Sequence, residues 1–222
     1  MDPMKISIIG TGNIGGALTR RFTQLHHDVR IANSRGPESL RELASETGAL
    51  PSTVQEVVQG ADVIVVTIPE KNIPNLPGDL FAQVPADTAV IDTGNYYPRQ
   101  RDGKISEIEE GLSESRWVEQ HLGHAVIKVF NNIYAKHLLE RGLPAGEPGR
   151  IALPVAGDDV SAKQKVMGLV EELGFDAVDA GGLDESWRQQ PGSPCYGADS
   201  DVEGLREALR AASPHRTSDW RA

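Results

Sequence analysis

Short apolar runs alternate with amphipathic stretches from Lys5 to Asp179. The runs Lys5–Ile9, Asp28–Ala32, Val63–Thr67, Ala89–Asp92, Ala125–Phe130, Ile151–Ala156 and Phe175–Asp179 are rich in β-branched residues and read as strands. Most are continuously apolar, the pattern of a parallel sheet covered on both faces. A further brief strand is expected near Gly48–Leu50. Between the strands, apolar positions recur every three or four residues. Ile14, Ala17, Leu18, Phe22 and Leu25 form the buried stripe of a helix from about Asn13 to Leu25. Pro37 and Glu38 open a second helix that continues from Ser39 to Glu46. Proline in a first turn loses no needed N–H, and an early acid suits the positive helix end. Asp158-Asp159 open a helix over Val160–Leu173, which Gly174 closes. Helices are also expected around Ile105–Leu122, after a polar loop, and at Asp201–Ala212. Residues 141–149 are too rich in proline and glycine to be regular and are expected as a surface loop beside the site, with a plain connector as the alternative. Strands and helices in this alternation make an α/β fold.

The first strand runs straight into Gly10-Thr11-Gly12-Asn13-Ile14-Gly15-Gly16, and the first helix follows at once. A G-x-G-x-x-G turn in this setting lets the backbone approach a pyrophosphate, which rests on the first free N–H groups of the helix. The expected architecture is a Rossmann-type, doubly wound, mainly parallel sheet. Residues 1–190 form the dinucleotide-binding domain, and 191–222 a short C-terminal extension with one helix. Gly10 makes the tight turn, Gly12 admits the pyrophosphate, and Gly15 lets helix and strand pack closely. The side chains of Thr11 and Asn13 and the N–H groups of Asn13 and Ile14 are the phosphate donors.

An acid usually ends the second strand and binds the adenosine ribose. Here Asn33-Ser34-Arg35 stands in that place. A hydroxyl and a permanent cation suit a 2′-phosphate, so the expected cofactor is NADP rather than NAD. Hydrogen bonds to a charged group contribute roughly 1.5–3 kcal/mol each, so two favour NADP by on the order of a hundredfold or more. Thr67-Ile68-Pro69 closes a later strand and is expected to pack on adenine and ribose.

Composition narrows the function further. A net charge of -10 argues against non-specific nucleic-acid binding. No run approaches the roughly 18 apolar residues of a membrane span. Met1-Asp2-Pro3-Met4-Lys5 enter a strand directly, so no secretory signal is read there and the expected compartment is the cytosol. Cys195 is the sole cysteine, which excludes an internal disulfide. His26, His27, His121, His124 and His215 show no metal-ligand spacing, and His137 is expected to be a surface or structural residue.

Two more strand ends, Asp92-Thr93-Gly94-Asn95-Tyr96-Tyr97 and Val129-Phe130-Asn131-Asn132, are expected at the redox end of the sheet. Neither carries the lysine or histidine that would move a proton off an alcohol, so no catalytic acid or base is assigned. Amide side chains suit a different task, holding a flat polar ring against a nicotinamide so that hydride passes directly. Asn95 and Asn132 also read as turn or helix caps.

The turn Gly10–Gly16, Asn33-Ser34-Arg35, the Val126–Asn132 strand and Pro154-Val155-Ala156-Gly157-Asp158-Asp159 together resemble NADPH-dependent F420 reductases. The pattern also resembles the reductase domain of STEAP-type metalloreductases, and Phe175–Gly181 is similar to the family's G-F-x-x-V-D-x-G ending. The resemblance covers about residues 4–190. It implies hydride transfer between NADP(H) and a deazaflavin (coenzyme F420) or a flavin (FMN or FAD), with a small-molecule redox partner and a homodimer. Mapped by position, it places Asn95, Asn131 and Ala156 near the nicotinamide. The chain departs from the pattern at His26-His27, which replaces a helix-ending glycine, at Asn95-Tyr96-Tyr97, and from Trp187 to Gly197. Two other functions stand beside this one: an NADP-sensing module without turnover, and an imine or β-hydroxy-acid reductase.

Overall fold

Val63–Val66 shows why the central strands read as unbroken apolar runs. Val63 and Val65 face one hydrophobic cluster and Ile64 and Val66 the other, and none is more than 1% exposed. A strand alternates its side chains, so it must be apolar throughout when both faces are covered. Each such residue contributes roughly 1.5–3 kcal/mol by leaving water. The molecule is described by a computed structural model over residues 2–222; Met1, the start of the leading segment read above, lies outside them.

Among the described residues, β1 (Lys5–Ile9), β2 (Asp28–Ala32), β3 (Leu50–Pro51), β4 (Val63–Val66), β5 (Ala89–Asp92) and β6 (Val126–Lys128) form one parallel sheet in the order β3-β2-β1-β4-β5-β6. That is the doubly wound order expected of a Rossmann-type fold. Helix α1 (Asn13–Gln24) links β1 to β2 and buries Ala17, Leu18 and Phe22. Its successor begins as a 3-10 turn, Pro37–Leu40, and becomes α2 (Arg41–Thr47), while α3 (Val54–Val57) is a single turn.

The structure departs from the expected elements in further places. The helix expected over Ile105–Leu122 is broken into α4 (Ser106–Glu109) and α5 (Glu114–Leu122). Gly111 takes a φ of +113° between them, and the Ser113 hydroxyl caps the second helix. His26, standing where a glycine is usual, adopts the left-handed conformation itself, with φ +65°.

The last two strands leave the main ladder. After β6 a short α6 (Ala135–Glu140) packs against α1 instead of crossing the sheet. Consequently β7 (Ala152–Val155) pairs with β8 (Asp176–Asp179) in a separate parallel pair, touching β6 through an antiparallel bridge between Lys128 and Ala156. Helix α7 (Val160–Glu172) connects the two and is capped by Asp159. In the extension, Leu205 and Leu209 of α8 (Val202–Ala211) pack on Ala152, Val178 and Cys195.

The loop 141–149 was expected beside the site, and the structure places it elsewhere. Leu143 N–H donates to the Gly174 carbonyl at 2.9 Å, and the loop borders a groove with Arg21 at the far end of α1 from the glycine turn. Gly142 permits the approach, since a Cβ there would stand 2.4 Å from the Leu173 carbonyl oxygen.

Candidate functional site

The cofactor end is built where β1, β2 and β4 stop. Gly10 N–H donates to the Ala32 carbonyl at 2.8 Å, and Thr67 N–H to the Ile9 carbonyl at 2.9 Å, which ties the three strand ends together. Gly10 has φ +101°, and a Cβ there would stand 2.3 Å from the Thr67 carbonyl oxygen. A Cβ on Gly15 would stand 2.0 Å from the Gly10 carbonyl oxygen. Both glycines are required by contact. Gly12 is different: nothing lies within 4 Å of its missing Cβ. Helix α1 begins at this open position with no side-chain cap and no acid in its first turn. Its N–H groups and positive dipole end are therefore available to an anion.

Asn33 shapes the neighbouring turn. Its Oδ1 accepts from Arg35 N–H at 2.9 Å, and its Nδ2 donates to Ser39 Oγ at 3.0 Å. Ser34 and Arg35 are left exposed, and the Arg35 guanidinium has no hydrogen bond or ion pair among the described residues.

A cleft of about 750 Å³ unites Gly10, Thr11, Gly12, Asn33, Ser34, Arg35, Thr67, Ile68 and Pro69. Asn13 faces an adjoining groove that shares Thr11, Gly12 and Arg35, and Ile14 packs inward on the core. The cleft has a further wall that the sequence reading missed: Thr53, Val54 and Gln55 on one side, and Asn72, Asn75, Leu76 and Pro77 on the other. One signal for it was present. Thr53 and Glu56 form a capping box at the start of α3, a spacing visible in the sequence.

Asn95, Asn131 and Ala156 lie outside that cleft. The first two meet: Asn95 Nδ2 donates to the Asn131 carbonyl at 2.9 Å, and Asn131 Nδ2 to Asn95 Oδ1 at 3.1 Å. Asn131 also donates to the Gln189 carbonyl at 2.7 Å and accepts from Gln189 Nε2 at 3.0 Å. Ala156 is fully buried, with its backbone N–H and carbonyl both paired to Lys128.

Beneath Asn95 lies a polar cluster that the motifs did not announce. Lys128 Nζ, 1% exposed as a side chain, donates to Asp92 at 3.1 Å and to the Gly94 carbonyl at 2.6 Å. Asp92 accepts from Gly94 N–H at 2.8 Å and from Ser115 Oγ at 2.7 Å. Glu114 is paired with Arg216 at 2.5 Å. Glu70 is fully buried, and neither carboxyl oxygen has a hydrogen-bond partner. Burial, with the neighbouring Asp92 charge, pushes Glu70 well above the usual carboxylate range, only partly offset by Lys128. Burial alone would lower the Lys128 ammonium, but the Asp92 and Glu114 carboxylates outweigh it and raise it. Three acids face two cations here, so the neutral arrangement has Glu70 protonated. A Cβ on Gly94 would stand 2.4 Å from Glu70 Oε1, so any side chain there would have to displace the Glu70 carboxyl. Lys128 thus fixes the Gly94–Asn95 backbone and is not free to exchange a proton with a ligand. His137 is paired with Asp199 at 2.5 Å. Among the described residues no cluster of potential metal ligands occurs, and no helix is long and apolar enough to cross a membrane.

The sheet order defines a Rossmann-type fold, and the uncapped helix behind an open glycine and the unpaired cation at the end of β2 make its cleft a candidate dinucleotide site. Residues 5–96 match the model of a family described as NADP oxidoreductase, coenzyme F420-dependent. The match spans the sheet from β1 to just beyond β5, so this N-terminal part of the chain is similar to that family of NADP-dependent oxidoreductases. It is 30% identical to the hypothetical protein SMa0349 of Sinorhizobium meliloti, whose crystal structure superposes with a TM-score of 0.75 over 89% of this chain and 95% of that one. A candidate F420-dependent NADP reductase of Arthrobacter sp. FB24 shares the fold at 22% identity, with a TM-score of 0.67 over 82% of this chain and 87% of that one. Protein YjhV of Escherichia coli K12 is 46% identical over 70 residues, which span 32% of this chain and 51% of YjhV. The match thus covers about half the length of that relative.

Proposed function

We propose that the protein transfers hydride between NADP(H) and a flat ring acceptor, a deazaflavin such as coenzyme F420 or a flavin such as FMN or FAD. The observation that carries the reading is the exposed, unpaired Arg35 beside the uncapped start of α1. Two anion sites in one cleft fit a pyrophosphate and a 2′-phosphate. The fit is supported by the space at Gly12, which any side chain would take from a pyrophosphate.

Thr11, Asn13 and the N–H groups of Asn13 and Ile14 hold the pyrophosphate. Ser34 and Arg35 hold the 2′-phosphate, within a turn shaped by Asn33. Thr67, Ile68 and Pro69 cover the adenosine side. Asn95 meets the nicotinamide end, backed by Asn131 and Ala156. NADPH, when bound, supplies the hydride; the protein aligns two rings and excludes water. The paired amides of Asn95 and Asn131 and the engaged Lys128 support ring-to-ring transfer, because none offers a free acid or base.

Stopped-flow oxidation of NADPH with F420, FMN and FAD offered separately tests the reading. Oxidation with at least one ring is expected. No oxidation with any of them overturns the reading in favour of an NADP-binding module without turnover.

A further inference from the structure

Four aromatic residues far apart in the sequence come together along the side of the site that Asn95 occupies. Tyr134 is 59% exposed and borders the same groove as Thr11, Gly12 and Asn13. Its hydroxyl lies 3.1 Å from where a Cβ on Gly197 would be, so Gly197 allows the next ring to approach. That ring is Tyr196, whose hydroxyl is hydrogen-bonded to the hydroxyl of Tyr97, two residues beyond Asn95. Trp220 closes the row: its ring lies 6.0 Å from Tyr97 at 43° and 6.0 Å from Tyr196 at 73°.

We propose that the segment 213–222 delivers Trp220 to the hydride-acceptor site, where it joins Tyr97, Tyr134 and Tyr196 in a wall that selects a flat heteroaromatic ring. The inference rests on the function proposed above and names the residues that recognise its second ligand.

The segment is held firmly enough to serve as a wall. Arg216 bonds Glu114 at 2.5 Å and Gln190 at 2.8 Å, and its guanidinium lies 5.3 Å over the Tyr96 ring. On the other side of Trp220, Arg99 Nε donates to the Arg221 carbonyl at 2.9 Å, and Ala222 N–H to Glu109 at 2.9 Å. The indole sits so close to Gly192 that a Cβ there would lie 2.5 Å from its Cδ1. Yet none of the four rings is buried: Tyr97, Tyr196 and Trp220 keep part of their surface open, and Tyr134 most of it. Aromatic surface of this kind stacks on a flat ring. Burial raises the titration of both Tyr97 and Tyr196, which keeps the wall uncharged.

The test is calorimetric titration of the NADP-loaded protein with FMN and with coenzyme F420, for the natural chain, Trp220→Ala and Trp220→Phe. At least one ring should bind, Trp220→Ala should weaken it tenfold or more, and Trp220→Phe should stay within threefold. NADP affinity should be unchanged in both variants. Ring binding that is unaltered in Trp220→Ala overturns the wall and leaves the proposed function standing. Loss of NADP affinity in parallel with ring affinity also overturns it, since Trp220 would then serve the whole fold. Failure of the natural chain to bind either ring overturns the functional reading, and the wall with it.

Discussion

Asn95 and Asn131 hold one another through two hydrogen bonds, one to the Asn131 carbonyl and one to the Asn95 side-chain oxygen, at 2.9 and 3.1 Å. The pair joins the chain just beyond the ends of β5 and β6. Because Asn131 is only 3% exposed, loss of its side chain leaves Asn95 Oδ1 and the Gln189 carbonyl without the Asn131 Nδ2 donor in a buried place. Asn131→Ala should cost about 1–3 kcal/mol in denaturant unfolding. It should also lower kcat with little change in KM for NADPH, since the phosphate contacts are distant. An unchanged kcat would remove the pair from the redox end.

In the proposed function Arg35 reads the 2′-phosphate. Arg35→Ala should weaken NADPH by about 10- to 100-fold, the loss of one charged hydrogen bond, and leave NADH nearly unaffected. Calorimetry with both cofactors measures it. Equal affinities for NADPH and NADH in the natural chain would show that Arg35 does not read the 2′-phosphate.

Gly12 and Gly15 belong to one motif but should respond differently. Gly12→Ala meets no atom within 4 Å and keeps an ordinary backbone conformation, so thermal stability should hold while NADPH binding falls. Gly15→Ala places a methyl 2.0 Å from the Gly10 carbonyl oxygen and should cost about 1–3 kcal/mol or more, as other overpacked positions do. Thermal melts paired with NADPH titration separate the two. If both variants melt alike and bind alike, space at Gly12 is not reserved for the cofactor.

Glu70 makes stability depend on pH in a defined direction. Its titration is raised in the folded protein by burial and by Asp92, with Glu114 and Asp102 adding to the effect and Lys128 opposing it. Above the usual carboxylate range the unfolded chain has lost this proton while the folded chain retains it. Stability therefore falls as pH rises towards the folded titration, with a slope approaching about 1.4 kcal/mol per pH unit. Glu70→Gln, which is neutral throughout, should be more stable than the natural chain at pH 8, with the gap closing towards pH 4. Urea midpoints across that range decide it, and a constant gap would mean that Glu70 is ionised when folded.

Much of the frame was legible because it rests on local rules. The continuous apolar runs announced strands covered on both faces, and Gly10, Gly12 and Gly15 stand where a strand must turn into a helix. Asn33-Ser34-Arg35 could be read in the same way, since residues so close in the chain share one turn. The break at Gly111 was harder to see, because the apolar spacing continues through it and only a φ of +113° interrupts the helix. The placement of the loop 141–149 was not legible either, for its position depends on contacts with Gly174 and Arg21.

The sequence by itself determined the α/β alternation, the phosphate turn and the cation that follows it. Each is carried by residues within a few positions of one another, where backbone geometry leaves little choice. Tertiary structure alone brought Glu70, Asp92, Glu114, Lys128 and Arg216 into one buried cluster, and Tyr97, Tyr134, Tyr196 and Trp220 into one row. Residues so distant in the chain become neighbours only when burial of the two apolar faces stacks the strands and folds the last segment back across them. The charges of the cluster and the surface of the aromatic row are products of that packing.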